Sequence, residues 1–476
     1  MFPLQQIRSR ILDQIRPTQL EVDESIQIYS KIKKRIKHVA KEQELDLAFI
    51  ELEGSSGRKQ TQLRNWRELD IFIGLPPVIL PKPIELEKPK KSFIKKLFKK
   101  LVKDVAIVAA QQAGAQTVNI AYAEHPYVSL TLDKYLVDLV FCFDLAPEYI
   151  LENGPITAVD RTPHHSRFVD ANLSQQQRDD VRILKAFCHS VFVYGDSSPV
   201  GRSGFTGFST EMIIYHLENI DSAFEYLSQY PAICLDFFGK SPQQLEKDFP
   251  KDFLIITDPT DAKRNIASSI SQRAYQYAQH NSQRLLQHPS TSFFQMQPIP
   301  LLSAKELAQM APNYYVIEFY DDTNWHYTKT RDKLYRYFTK LQKFLRFEPT
   351  SEPRFGTVTF EVVFQGHIFA IALYVEKNEI NDSYVRVGPS VNFIEGVEGF
   401  TEKHPDAILV NDKYHVTITR TVTDAEQALR QFLVENTLSP KLSLIAISHD
   451  GITKIGKQAL WILRNAIQPF VNQNIG

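Results

Sequence analysis

The sequence predicts a multidomain α+β protein. Three observations carry that expectation. Two strand-like runs, Leu47–Leu52 and the stretch opening at Glu68, flank a Gly-Ser turn near the N-terminus, and more strand-like runs follow before residue 145. From Ala146 the chain turns helical and less β-rich. Towards the C-terminus strands and helices alternate again, the order of a small sheet covered on one side. At 476 residues the chain is long enough for three or four domains with well-buried cores.

The elements follow in order. Residues 23–44 place Ile28, Tyr29, Ile32, Ile36 and Val39 near one helical face, with lysines and arginines on the other. After the second strand, the prolines from Pro76 to Pro89 exclude both helix interior and central strand. Residues 91–110 return to helical spacing, with Phe93, Ile94, Leu97, Phe98, Leu101, Val102, Val105 and Val108 forming a stripe. Lys90, Lys91, Lys95, Lys96, Lys99, Lys100 and Lys103 crowd the remaining surface. That surface reads as the solvated side of a core-packed helix, as an RNA-backbone stripe, or as a membrane-surface helix. Strands near 117–124, 127–132 and 136–143 complete a mixed sheet. Gly201–Gly207 lacks the GK[ST] ending of a P-loop and reads as a tight helix entry leading to Glu211. A strand, Phe253–Thr257, precedes Asp258-Pro-Thr-Asp261, which reads as a turn into a helix N-terminus carrying Arg264. Tyr314–Tyr320 reads as a strand, Lys333–Phe347 as an amphipathic helix, and 356–364 and 367–376 as two more strands.

Composition excludes several classes. Lys+Arg and Asp+Glu balance at 55 each, so only a local basic surface could bind nucleic acid. Cys142, Cys188 and Cys234 lie far apart without zinc spacing, which suits inert core thiols in a reducing cytoplasm. His164 and His165 are adjacent with no nearby Cys or third His, a poor start for a metal site. No run approaches about 18 apolar residues, and Arg8 and Arg10 precede any apolar stretch, so a cytoplasmic protein with no membrane partner is expected.

Glu68 and Asp70 are two apart on a strand and therefore share a face, with Leu69 and Ile71 turned to the core. Two neighbouring carboxylates repel unless a cation lies between them. Hard oxygen ligands this close suit Mg²⁺, which also takes substrate phosphates. The plain alternative is an edge strand whose polar face meets water. Gly54-Ser55, with Arg58 and Lys59 close behind, weighs against it, because backbone N–H groups and basic side chains hold phosphate. A third acid, Asp138, lies inside the apolar run Tyr135–Phe143, where a carboxylate is costly unless paired or metal-bound.

Gly-Ser, then Glu-x-Asp on one strand, then a lone Asp on a later strand resembles the polymerase-β-type nucleotidyltransferases. Further blocks follow in order: Ala123-Glu-His-Pro-Tyr-Val128, Ala158-Val-Asp-Arg-Thr-Pro-His-His165, Val181-Arg-Ile-Leu-Lys-Ala-Phe187, Tyr194-Gly, Gly204-Phe-Thr-Gly-Phe208 and Asp258-Pro-Thr-Asp-Ala-Lys-Arg-Asn265. Together they resemble the archaeal-type, class I CCA-adding enzymes, most strongly over residues 20–290.

The resemblance implies a catalytic head with a mixed sheet at 1–145 and a helical nucleotide- and substrate-binding domain at 146–295. It implies an α+β RNA-binding body at 296–400 and a tail at 401–476. It further implies template-independent addition of C and A to the tRNA 3′ end from CTP and ATP, releasing pyrophosphate, with Glu68, Asp70 and Asp138 holding two Mg²⁺. A poly(A)-adding or oligonucleotide-signal-synthesising enzyme with the same head is the alternative. By matching motif positions, Ser55, Arg58, Thr162, His165, Lys185 and Tyr194 would hold the triphosphate. Arg264 would read the incoming base, or simply cap Asp258 or Asp261. The expected partner is the tRNA acceptor arm, with a homodimer left open. Two departures from the family stand out. The loop after Ser55 is one residue longer, so either Arg58 or Lys59 could inherit the phosphate role, and Phe141 stands where a proline is usual.

Overall fold

The computed structural model describes residues 4–84, 87–122, 124–310, 312–323 and 325–473; Ala123, which opens one of the motif blocks, lies outside them. The chain divides into two compact units, residues 1–198 with 203–297, and residues 298–476 with 199–202.

The first unit opens with α1 (Gln5–Ile15) and α2 (Gln19–Glu42). The second helix starts four residues ahead of the apolar periodicity, because Thr18 and Glu21 close a capping box there. Then come β1 (Phe49–Glu53), β2 (Glu68–Leu75), α3 (Lys91–Leu101), a π turn (Val102–Ala106) and α4 (Ile107–Gln112). The strands β3 (Thr117–Tyr122), β4 (Pro126–Leu132) and β5 (Tyr135–Phe143) complete a five-stranded sheet of order β1-β2-β5-β4-β3. Only β2 and β5 run parallel; the other neighbours are antiparallel. Strand alternation sends Leu69, Ile71, Ile73, Val137, Leu139 and Phe141 into one core with Ile32 and Ile36 of α2 and Ile94 and Phe98 of α3. Each such fully buried side chain contributes about 1.5–3 kcal/mol. The opposite sheet face is left to Glu68, Asp70 and Asp138.

The remainder of this unit is mostly helical: α5 (Pro147–Asn153), α6 (Thr162–Asn172), α7 (Gln175–Ser190), α8 (Gly207–Leu217), α9 (Ile220–Gln229), α10 (Pro242–Asp248) and α11 (Gln272–Gln287). Arg16 reaches Asp179 at 2.5 Å and ties the N-terminal segment to α7. A small sheet of order β6-β7-β8 interrupts the helices: β6 (Cys234–Leu235), β7 (Ile255–Asp258) and β8 (Asp261–Asn265). The expected helix after Asp258 is therefore a strand. The Asp258 carboxylate accepts from the Thr260 backbone N–H (2.9 Å) and hydroxyl (2.8 Å), which closes a tight hairpin turn and sends the chain back. Cys142 and Cys188 are buried as expected, but Cys234 is exposed because β6 is an edge strand.

In the second unit, β9 (Tyr314–Asp321), β10 (Val358–Gln365), β11 (Ile368–Val375) and β15 (Leu442–Ser448) form an antiparallel sheet of order β10-β11-β9-β15. Helices α13 (Tyr327–Arg346) and α15 (Ala425–Glu435) cover one face. The other face is also covered, by α16 (Lys454–Trp461), where a bare face was expected. Small Ala370 and Ala372 make room there, and Glu318 accepts from the Ile452 and Thr453 N–H groups at that helix entry. A short helix, α12 (Ala304–Ala308), precedes the sheet, and β12 (Ser383–Ser390), β13 (Ile408–Val410) and β14 (Lys413–Thr419) form a smaller one of order β12-β14-β13 that carries α14 (Ile394–Lys403). Among the described residues no helix is long and apolar enough to cross a membrane.

Candidate active site

Parallel pairing of β2 with β5 sets Asp70 directly opposite Asp138, with Glu68 two residues back on the same face. Burial raises all three carboxyls above their ordinary range, and repulsion from Asp138 adds to the rise at Glu68 and Asp70; Asp70 is pushed up to about 6. One oxygen of Asp138 is buried without a hydrogen-bond partner. Gly54, just past β1, sits against this cluster in the left-handed region (φ +64), and a β-carbon there would lie 2.3 Å from Asp70 Oδ2. Glycine thus allows the turn after β1 to close over the acids.

A fourth acid, unnoticed in the sequence, lies beside them. Glu53 is the cross-strand partner of Asp70 and is fully buried. Neither of its oxygens has a well-formed hydrogen bond, and burial with repulsion from Glu51 pushes it to about 7, tempered by the Ser166 hydroxyl. A Glu immediately before Gly-Ser, two residues after Glu51 and so on the same strand face, was the available signal.

The loop that follows separates its two basic residues. Arg58 is exposed and turns outward to Glu51 on β1 (2.7 Å). Lys59 turns inward and is buried, donating to Glu211 Oε2 at 2.8 Å with the Phe208 ring beneath it. Its charge reaches Asp70, Glu53 and His165. Ser55, half-buried at the start of the loop, accepts through its carbonyl from the Thr61 N–H. Lys185, from α7, and the Thr61 hydroxyl also donate to Glu211, at 3.2 and 2.7 Å. Burial alone would push Glu211 upward, but the two lysines and the Thr61 hydroxyl pull it down to about 2. Burial lowers Lys185 to about 8. An acid directly before the apolar Met212–Ile214 was a weaker signal than the one that marked Asp138, and sequence reasoning passed over it.

Two further clusters complete the site. Tyr194 stacks on His189 (4.0 Å between centroids), and a β-carbon on Gly207 would lie 3.2 Å from the Tyr194 hydroxyl and 3.5 Å from Lys185 Nζ. The first turn of α8, capped by Thr206, therefore opens beside both groups. Thr162 begins α6, and His165, one turn on, is buried against Phe208 (3.9 Å). Burial lowers His165 to about 4, so the neutral ring donates Nε2–H to Asp258 Oδ2 at 2.8 Å. Arg264 Nη1 donates to the same oxygen at 2.7 Å. His165, Arg264 and the Thr260 N–H hold Asp258 well below the usual carboxylate range, despite its burial. The capping role weighed for Arg264 is thus real. Its other nitrogens remain available to a hollow of about 470 Å³ lined by Arg161, Thr206, Phe208 and Lys263 among others.

A mixed sheet with one parallel strand pair bearing carboxylates at 68, 70 and 138 agrees with the nucleotidyltransferase head that the sequence resemblance implies. Sequence comparison narrows the class. The tRNA nucleotidyltransferase second-domain family matches residues 179–295. A CCA-adding enzyme of Saccharolobus islandicus is 27% identical over 437 residues, covering 90% of this chain and 92% of the relative. That of Methanosarcina mazei is 25% identical over 452 residues (92% and 91%), and that of Pyrobaculum islandicum 30% identical over 298 residues (62% and 63%). The chain is a tRNA nucleotidyltransferase, similar over most of its length to archaeal CCA-adding enzymes. Similar solved structures include Escherichia coli MS115-1 CdnC with ATP (TM-score 0.44, 14% identity, 61% of this chain and 94% of that one). The Cid1 poly(U) polymerase aligns comparably (TM-score 0.44, 13% identity, 62% and 99%).

Proposed function

We propose that this enzyme adds C and A to the 3′ end of tRNA from CTP and ATP, without a nucleic-acid template, using Mg²⁺ held by Glu68, Asp70 and Asp138. The observation that carries this reading is the Asp70–Asp138 register pair beneath Gly54. The acids fit a divalent cation: they are destabilised by burial and mutual repulsion, and one Asp138 oxygen is buried and unpartnered. Among the described residues no three His, Cys, Asp or Glu side chains are gathered closely enough to hold a metal ion as they stand, so Glu68, Asp70 and Asp138 would draw together around Mg²⁺ and substrate phosphate. When bound, such ions supply charge stabilisation and an activated 3′-hydroxyl for in-line attack on the α-phosphorus.

The protein's own groups then divide the remaining work. Lys59, Lys185, Tyr194 and the first turn of α8 offer ammonium, hydroxyl and backbone N–H donors to the departing pyrophosphate, with Ser55, Thr162 and His165 at its margin. Lys59 takes the place expected of Arg58, since it alone of the two faces inward. Arg264, braced by Asp258, presents its free guanidinium nitrogens to the acceptor edges of C and A. The head is assigned to residues 1–145 and the nucleotide-binding domain to 146–295, with the RNA-binding body at 296–400 and the tail beyond.

Incubation of tRNA lacking its 3′ end with each nucleoside triphosphate singly, followed by sizing of the product, tests the reading. Growth with CTP, then with ATP after CTP, is the expected result. Primer-free joining of ATP to ATP, or open-ended A addition to any RNA, would overturn it.

A further inference from the structure

The lysines of α3 stand apart from everything described so far. The apolar stripe of this helix is committed to the core: Ile94, Phe98 and Leu101 are buried against the sheet face that carries Leu69 and Ile71. Its lysines are therefore turned away from the acids, which occupy the other face of the same sheet, and they are not triphosphate ligands. Lys95, Lys99 and Lys103 form one row and Lys96 and Lys100 the next, about 6 Å apart along each row. All are exposed, and none enters an ion pair or hydrogen bond among the described residues. Helix α2 packs beside α4 and the π turn on the same face and carries exposed Lys34, while its Lys37 and Lys41 line a separate hollow beside β1 and Arg58. In a chain whose charges cancel overall, this is a concentrated positive surface in which lysines outnumber the nearby acids Glu87 and Asp104.

We infer that this face of the head is a docking surface for the phosphate backbone of RNA. Charge complementarity selects a polyanion, since rows of flexible ammonium groups match a repeating phosphate array without reading bases. A lipid surface is the poorer fit. Interfacial helices insert an apolar face, and here that face is spent inside the protein. The inference rests on the proposed function only in taking RNA as the polyanion.

The test uses the full chain and a tRNA transcript lacking its CCA end. Dissociation constants are measured between 50 and 200 mM KCl for wild type, for K95E/K96E/K99E/K100E, and for the milder K95Q/K96Q/K99Q/K100Q. The charge reversal is expected to weaken binding at least tenfold, and the glutamine variant by less. The log–log salt slope should become shallower by about 2–4, since each lost phosphate contact contributes about 0.9 on a B-DNA duplex. Turnover at saturating tRNA should be unchanged while KM for tRNA rises with Kd. Unchanged affinity and slope in both variants would overturn the inference, as would a fall in kcat with Kd unmoved. Wild-type binding to phosphatidylserine vesicles that the reversal abolishes, with tRNA affinity unmoved, would overturn it in favour of a membrane. Failure of the wild type to extend tRNA, with lysine-dependent tRNA binding intact, would count against the proposed function alone.

Discussion

Asp70 and Asp138 face each other across the one parallel strand pair of the head sheet, so backbone hydrogen bonding itself holds two repelling carboxylates together. Without a cation this arrangement costs stability. Asp70→Asn should abolish nucleotide addition, leave tRNA affinity nearly intact, and raise the melting temperature of the metal-free protein by a few degrees. The Asp70 pKa is raised from 3.8 to about 6, so ionisation penalises the folded state increasingly as pH climbs from 4 through 6. The gain in Tm should therefore be full above about pH 6 and vanish below pH 4. Mg²⁺ should stabilise the wild type more than the variant. Scanning calorimetry at several pH values, with and without Mg²⁺, reads each of these; an Asn variant that still turns over would remove Asp70 from the site.

Gly54 tests the same cluster from the loop side. Its positive φ and the 2.3 Å approach of a β-carbon to Asp70 Oδ2 leave no room for alanine. Gly54→Ala should displace the carboxylate or the turn, and cost at least 10²-fold in kcat, as small misplacements of reacting groups do. Steady-state kinetics with folding checked by circular dichroism decide it, and near-normal turnover would show that the turn relaxes freely.

Glu211 gathers Lys59, Lys185 and Thr61 in a buried network. Removing its charge leaves two buried ammonium groups uncompensated, so Glu211→Gln should cost about 3–5 kcal/mol in urea unfolding. The Glu211 carboxyl is depressed from 4.5 to about 2, so its stabilisation is complete above about pH 4.5 and lost as pH falls towards 2. The variant should lose that acid limb. In kinetics, Lys59→Met should raise KM for nucleotide while Arg58→Met leaves it close to wild type. The reverse order would restore Arg58 to the phosphate role.

Asp258 should join the behaviour of His165 to that of Arg264, since one oxygen accepts from both. Arg264→Ala should relax selection of C and A over U and G roughly 5- to 150-fold, the scale of a lost bidentate base contact worth about 1–3 kcal/mol. Asp258→Asn should reproduce much of that loss, and the double variant should be clearly less than additive. Misincorporation of UTP and GTP on tRNA lacking its CCA is the assay. Full additivity would separate the two residues.

By itself the sequence determined the elements and the chemistry written in local pattern. Alternation along Glu68–Leu75 placed Glu68 and Asp70 together, and an acid within Tyr135–Phe143 marked Asp138, because strand period and burial cost are local properties. The apolar stripe of residues 91–110 was legible for the same reason. Tertiary structure alone decided which charges meet. Arg58 and Lys59 are equivalent on paper, and only the path of the loop turns one to solvent and the other to Glu211, 152 positions away. Asp258 looked like a helix entry because its bonds to Thr260 compete with helix capping, and pairing with β7 settles the outcome. The role of Glu53 depends on its partner across β1 and β2, and the lysines of α3 were ambiguous until the sheet claimed the other side of their helix. Long-range pairing carries no local signature, since a side chain's partner is set by how distant segments pack and not by its neighbours in sequence.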